Sequence, residues 1–240
     1  MEPNLEGIRA YWRAATQAPN GFGGDGLVIA GSDDHQAAPR GWTGIIELLG
    51  DVVIACPANL ADSLRAALSG SSNEQILDPS YVTDLLRPKE TLGPAKLFYG
   101  GLSLKHPSLS RRVVGPVGAD DPRVKEVMGD ATEDERSESS VTRAIWGAYV
   151  ALADDGTPAS VCAWRDWPHQ VAHMGSLTAA SLRGQGYGLV AAQAAFNAAV
   201  EIGRIPQWRA LRSNHASVAL AQRLGLRLVG QQLSVHLTGE

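Results

Sequence analysis

Apolar and polar positions alternate between two rhythms along this chain. From Leu5 to Thr16 the spacing is that of a helix. From Asn59 to Leu68 it returns, with Leu60, Leu64, Ala67 and Leu68 on one face and Asn59 as the cap. Between these helices, Leu27–Gly31, Thr43–Leu49 and Val52–Pro57 are apolar or alternating and predict strands. Gly50-Asp51 suits a tight hairpin between the last two. The segment from Pro19 to Gly26 is a breaker cluster. Asp78–Leu86 predicts a helix that ends before Pro88, and Ala95–Tyr99 a strand. These elements make an α+β lobe over residues 1–110, and the Pro/Gly/Ser-rich stretch Gly100–Gly118 reads as a join.

A second region, residues 111–240, has a different order. Asp120-Asp121-Pro122 opens a helix to about Met128, with Pro122 where a missing N–H costs little. Gly129–Val141 is polar and acidic, a turn and a second helix. Ile145–Leu152 and Thr157–Trp167 predict strands joined by an Ala153-Asp154-Asp155-Gly156 hairpin. His169–Thr178 is the next strand, Leu189–Gly203 a long small-residue helix, Gln207–Arg212 a short strand. A helix through Arg223 and a final strand Leu228–Leu237 complete an order α-α-β-β-β-α-β-α-β. No internal repeat is visible.

Between the third of these strands and the long helix lies Arg183-Gly184-Gln185-Gly186-Tyr187-Gly188. A strand passing through a glycine-rich turn into a helix N-terminus is physically an anion cradle. The glycines let backbone N–H groups approach and face a phosphate, and the helix start carries partial positive charge. Downstream stands Asn214-His215-Ala216-Ser217, then Leu224-Gly225-Leu226. The two blocks, in this order and joined by one helix, resemble the GNAT superfamily of acyl-CoA N-acyltransferases. There the first pattern, Arg-x-x-Gly-x-Gly, is the pyrophosphate loop, and the second reads Asn-x-x-Ala/Ser…Leu-Gly-Phe, with Leu226 here in place of the aromatic. The resemblance covers about the last half of the chain. It implies a mixed, mainly antiparallel sheet with helices on both faces over residues 111–240, preceded by a smaller α+β lobe. Some superfamily members pair a working lobe with a degenerate copy of it, but no residue of the N-terminal lobe carries such a signature. That lobe is expected to close the acceptor pocket or to make a subunit contact, as in a homodimer.

The resemblance also implies a role for individual residues. Acetyl-CoA is the expected co-substrate. Its thioester and pantetheine lie along Ser176, Leu177 and Thr178, whose backbone N–H groups polarise the carbonyl. Its diphosphate lies on Arg183, Gly184, Gln185, Gly186, Tyr187 and Gly188, with Gln185 and Tyr187 contributing mainly backbone. Asn214 and Ser217 are CoA-side contacts, although Asn214 is also a favoured helix cap. The family often places a tyrosine seven residues after that asparagine as general acid. Ala221 stands there, and no tyrosine lies beyond Tyr187. Three readings stay open: the thiolate leaves unaided, since thiols titrate near about 8.5; Ser217 or water supplies the proton; or this lobe does not catalyse.

For the base, His173 on the strand before the glycine loop, His169 at the start of that strand and Asp166 are the alternatives, histidine being suited by its near-neutral titration. His169 and His173 share a face in a regular strand, but no third ligand for a metal is evident. The acidic run Asp130, Glu133, Asp134, Glu135 and Glu138 reads as a solvated face, or else as a lure for a cationic amine. Trp146, Trp164 and Trp167 read as core first, with Trp164 and Trp167 on opposite faces of their strand.

Composition narrows the remainder. The chain has 240 residues, 44% of them apolar, and a formal net charge of -4. That is enough for one large or two small domains. Without a basic stripe it argues against nucleic-acid binding. Cys56 and Cys162 fit no zinc or disulfide spacing, no secretory signal is visible, and no apolar run approaches the roughly 20 residues that span a bilayer. The expectation is a cytoplasmic protein with no membrane partner. Gly21-Phe22-Gly23-Gly24-Asp25-Gly26 matches Gly-x-Gly-x-x-Gly in letters only, because a proline-bearing loop precedes it and a strand comes after. The function expected is direct acetyl transfer from acetyl-CoA to a primary amine of a small molecule or peptide. The alternative is an acyl-CoA-binding sensor or scaffold without turnover.

Overall fold

The structure is a computed structural model that describes residues 2–24, 26–101, 112–139, 141 and 146–238. The chain divides into two compact units. One comprises Glu6–Leu97, Ala210–His215 and Leu228–Glu240. The other comprises Met1–Leu5, Phe98–Arg209 and Ala216–Arg227.

In the first unit, helix α1 (Leu5–Thr16) buries Ile8, Tyr11, Trp12 and Ala15. Strands β1 (Leu27–Gly31), β2 (Thr43–Leu48) and β3 (Asp51–Cys56) come next, then α2 (Ala61–Ala67), α3 (Asn73–Ile76), α4 (Pro79–Leu86) and β4 (Glu90–Tyr99). The strand order is β1-β3-β2-β10-β4, where β10 is Arg227–His236. β2 and β10 pair antiparallel from Leu48↔Gly230 to Thr43↔Val235. A Cβ at Gly230 would lie inside the Glu47 carbonyl, so this pairing needs glycine there. The final strand is therefore counted with the first lobe, whereas the sequence-based boundary places it in residues 111–240. The core here is Ile45, Val52, Ile54, Leu64, Ile76 and Leu233 with their neighbours.

Two local expectations shift. The hairpin turn is Leu49-Gly50, not Gly50-Asp51: both residues have positive φ (55° and 96°), and Leu48 pairs with Asp51. That is the geometry of a two-residue turn matched to strand twist. Asn59 does not cap α2. It lies inside a 3-10 turn (Ala58–Leu60), whose Ala58 N–H is held by the Asp33 carboxylate at 3.0 Å.

The second unit carries β5 (Val113–Val117), α5 (Pro122–Gly129), α6 (Glu133–Ser139), β6 (Ala148–Leu152), β7 (Pro158–Trp167), β8 (Val171–Thr178), α7 (Tyr187–Glu201), β9 (Ile205–Leu211) and α8 (His215–Arg223). β5 lies within the stretch expected to be a join. Residues 102–111 of that stretch, and Ile145, fall outside the described residues. The strand order is β9-β8-β7-β6-β5, antiparallel except between β8 and β9. Alternation along each strand separates two faces. Val150, Val161, Ala163 and Leu177 face α5 and α6, where they pack with Val124, Val127, Met128 and Val141. The other face lies against α7, whose Ala191, Ala195, Phe196 and Ala199 are fully buried. Small residues on one face of α7 let it lie close to the sheet, while Phe196 fills the space over Gly100, where a Cβ would collide with its ring.

Candidate active site

Strand β8 has two halves. Across its whole length it pairs with β7, from Val171↔Trp167 to Thr178↔Ser160. With β9 it pairs only from Val171↔Ile205 to Met174↔Trp208. Beyond that point Gly175, Ser176, Leu177 and Thr178 continue without β9 beside them. An extended edge of this kind can receive an extended ligand, which would take the place of a strand. The Ser176 hydroxyl donates to the Val161 carbonyl at 3.0 Å, so its side chain is turned back to β7. Gly175 lies so tightly under the last residue of α6 that a Cβ would enter the Ser139 carbonyl.

The chain then makes one 3-10 turn, Ala180–Leu182, and enters the glycine loop. Gly184 has φ +76° and Gly186 φ +87°, a region that side chains disfavour. Gly186 is the N-cap of α7 and offers no side chain to it, and the first turn of α7 contains no acidic residue. Val190 makes the first helical bond, to the Gly186 carbonyl at 3.3 Å. An α-helix gives its first N–H groups no internal acceptor, so this end carries positive dipole that no acidic residue of its own first turn offsets. A Cβ at Gly188 would come within 3.0 Å of Thr178 Oγ1, which Ser160 Oγ already holds at 2.9 Å.

Around the loop the acidic run is used as bracing. Arg183 donates through Nε to the Thr178 carbonyl at 3.1 Å and pairs with Glu135 at 2.8 Å. That pairing, with the Thr132 N–H, holds the Glu135 carboxyl below the usual carboxylate range. The Asp130 carboxylate accepts the Ala180 N–H. Two of the five acidic residues are thus tied to the loop, and Arg183 is a brace of the loop through these contacts. Gln185 is exposed, with its amide 3.4 Å from the Ser181 carbonyl.

On the α5/α6 face, the β7–β8–β9 register brings together Arg165, His173 and Gln207. His173 Nδ1 lies 2.5 Å from Gln207 Oε1, and Gln207 Nε2 donates to the Tyr99 hydroxyl at 3.3 Å. Trp167 stacks on the imidazole with centroids 4.2 Å apart. Burial first, then the positive charge of Arg209, pushes the His173 pKa down to about 3, so its ring is neutral at neutral pH. A neutral ring donates from Nδ1 to Gln207, which fixes the tautomer.

The other base alternatives lie elsewhere. His169 is outside β8, in the exposed turn before it, with φ 56°, so it does not share a strand face with His173. Asp166 points to the opposite face and makes a two-bond ion pair with Arg204, at 3.1 and 2.7 Å. Trp164 is buried and Trp167 half-buried, but Trp146 is 52% exposed and is not core.

The second block lies on the α7 side. Ser217 Oγ accepts the indole N–H of Trp208 at 2.9 Å. Trp208 and Gln207 are adjacent on β9 and face opposite ways, so Ser217 and His173 lie on opposite faces of the β8–β9 pair. Asn214 immediately precedes α8. Ala221 is fully buried, and Gly225, with φ 69°, ends the helix where the Leu226 N–H returns to the Ala221 carbonyl at 3.1 Å. Sequence reading missed Gln207, Glu135 and Trp208 as partners. Gln207 is a polar residue in an apolar strand, which was the one available signal, but its partner depends on cross-strand register.

A family model described as the acetyltransferase (GNAT) domain matches residues 110–227. No curated protein matches the chain. Among solved structures it is similar to a GCN5-related N-acetyltransferase from Kribbella flavida (18% identity, 79% of this chain and 81% of that one, TM-score 0.46). It is also similar to a GNAT-family acetyltransferase from Colwellia psychrerythraea (14% identity, 67% and 62%, TM-score 0.48). A third is a GCN5-related N-acetyltransferase from Sphaerobacter thermophilus (16% identity, 68% and 59%, TM-score 0.47). The chain spans less than two thirds of the last two, and no residue's role is transferred from any of them. Among the described residues, no helix is long and apolar enough to cross a membrane.

Proposed function

We propose, from the premise that residues 110–227 belong to the GNAT acetyltransferase domain family, that this protein moves an acetyl group from acetyl-CoA directly to a primary amine. The observation that carries the reading is the open half of β8 leading into an uncapped, glycine-entered helix. The diphosphate of CoA would sit on the amides of 184–189, and the pantetheine would extend along Ser176–Thr178. Held there, the thioester carbonyl would meet backbone donors rather than water, which favours the oxyanion of the tetrahedral intermediate. Positioning of amine and thioester supplies a further share of the barrier.

In this reading the amine attacks the carbonyl carbon, the C–N bond forms, and the C–S bond breaks as CoA leaves. His173 acts as a positioning residue. An imidazole that protonates only near pH 3 does not take a proton from an alkylammonium at neutral pH. The amine therefore arrives neutral or loses its proton to water. The nitrogen sheds its surplus proton to water as the amide forms, and the leaving thiolate takes one from water relayed through the Ser217 hydroxyl, which ends the step still protonated. Its loss is expected to lower kcat by less than about tenfold, because a thiolate near its ordinary pKa of about 8.5 can depart unaided.

The buried Ala221, at the position of the family's usual acid, favours the second reading: an acyl-CoA sensor without turnover. A diverse amine panel with acetyl-CoA and thiol detection separates the two. Thiol release with at least one amine supports the enzyme. Thermal stabilisation by acetyl-CoA without release from any amine supports the sensor. No stabilisation by acetyl-CoA removes both.

His173 also makes a separate prediction. The unfolded chain protonates it below about pH 6.5 and the folded chain only near 3. Its contribution to stability is therefore lost progressively as pH falls from about 6.5. Melting of His173→Gln should fall less steeply between pH 7 and 4 than melting of the wild type. Parallel curves would show that the imidazole is not held neutral.

A further inference from the structure

The α5/α6 face next to the open half of β8 carries concentrated positive charge. Arg165 stands opposite His173 in the β7–β8 register, and the Arg165 and Arg209 guanidinium carbons each lie 5.8 Å from the centre of the Trp167 ring. Arg209 is the first β9 residue beyond the last β8 pair, Met174↔Trp208. Both arginines lower the proton affinity of His173, and no carboxylate contributes in the opposite sense. Among the described residues no carboxylate pairs with Arg165. The nearest acid on β7, Asp166, points to the opposite face and is committed to Arg204. The acidic run that would have drawn a cation is partly spent on the loop, through Glu135 with Arg183 and Asp130 with Ala180.

Two guanidinium groups around one indole, with a neutral imidazole beneath, form an anion-receiving arrangement. The ring gives Arg165 a face to rest on without neutralising it, and a guanidinium binds a carboxylate or phosphate through two parallel bonds. We infer that the acceptor amine carries a carboxylate or phosphate, seated against Arg165 with Trp167 as its floor. This rests on the acetyltransferase reading above. It names the acceptor class, an anionic amine, and makes Arg165 the specificity-determining residue. A simple cationic amine or polyamine would meet repulsion at this face.

The test uses the full-length protein and matched acceptors: α-amino acids, the same amines lacking the carboxylate, and O-phosphoethanolamine against ethanolamine. Calorimetry with the CoA-loaded protein measures acceptor binding, and thiol release with acetyl-CoA measures turnover. The expected result is binding and turnover confined to anionic members. Arg165→Gln should raise their Kd and KM by about tenfold to a hundredfold, with acetyl-CoA affinity unchanged and partial retention in Arg165→Lys. Preference for amino acids over O-phosphoethanolamine, or the reverse, identifies the anion. Equal or better binding of the neutral and cationic members overturns the inference, as does failure of every anionic member to bind. So does an Arg165→Gln effect that is the same for both classes. Anionic binding without thiol release would instead strike the transferase reading and leave the anion site standing. Loss of acetyl-CoA binding in the wild type would strike the CoA loop.

Discussion

Two glycine-rich segments of this chain look alike as strings and behave differently as structure. In Gly21–Gly26, Gly24 has φ +95° and its N–H is taken by the Asp51 carboxylate at 3.1 Å, and strand β1 comes next. In Arg183–Gly188, Gly186 has a similar φ of +87° but opens the 15-residue helix α7 with no side-chain cap. The same backbone freedom serves a turn in one case and a cradle in the other. What decides between them is the element that the glycines lead into, a strand in one case and a helix N-terminus in the other.

Substitutions can break or sharpen this contrast. The largest effect is expected from Gly188→Val. Its side chain would press on Thr178 Oγ1, at the end of the strand segment proposed to hold the pantetheine, so acetyl-CoA affinity should fall at least about a hundredfold by calorimetry, with thermal unfolding as the control for folding. Gly186→Ala comes next. Forcing a Cβ into the left-handed region costs about 1–2 kcal/mol, and acetyl-CoA binding should weaken about tenfold. Gly24→Ala carries the same backbone penalty, and nothing lies within 4 Å of the new Cβ. It should lower the melting temperature while leaving acetyl-CoA affinity unchanged. An affinity loss at Gly24 matching that at Gly186 would erase the distinction.

Smaller effects concern side chains. Glu135→Gln removes the Arg183 brace and should weaken acetyl-CoA binding by about twofold to threefold at pH 7. Because Arg183 holds the Glu135 carboxyl below its ordinary range, the brace is fully present above about pH 4.5. It is lost only as pH falls through the lowered folded value. Wild-type affinity should therefore show no Glu135-dependent change between pH 7 and 5. Gln185→Ala, at an exposed side chain, should change affinity by less than about twofold. A loss equal to that of Gly186→Ala would contradict recognition by backbone.

Local signals carried much of this architecture. Helix α1, strand β1 and the long helix α7 are legible from apolar spacing, and the loop Arg183–Gly188 from its glycines between a strand and a helix. Non-local facts were not legible. Whether β10 pairs with β2 depends on a contact between residues far apart in sequence, made possible by Gly230. β5 was hidden because Gly115 and Pro116 read as breakers, yet this strand stands at the end of the strand order, where they are tolerated. At the site, the strand carrying His173 was readable, but its burial, its Gln207 partner and the arginines around it come from register and packing. Those features support the positioning role proposed for His173.

If main-chain amides at the start of α7 hold the CoA diphosphate, amide hydrogen exchange with and without saturating acetyl-CoA will show it most directly. Exchange at residues 184–189 should slow by at least about tenfold on binding, while exchange at 21–24 stays unchanged. Unchanged exchange at 184–189 in a protein that calorimetry shows to be loaded with acetyl-CoA would contradict a backbone cradle.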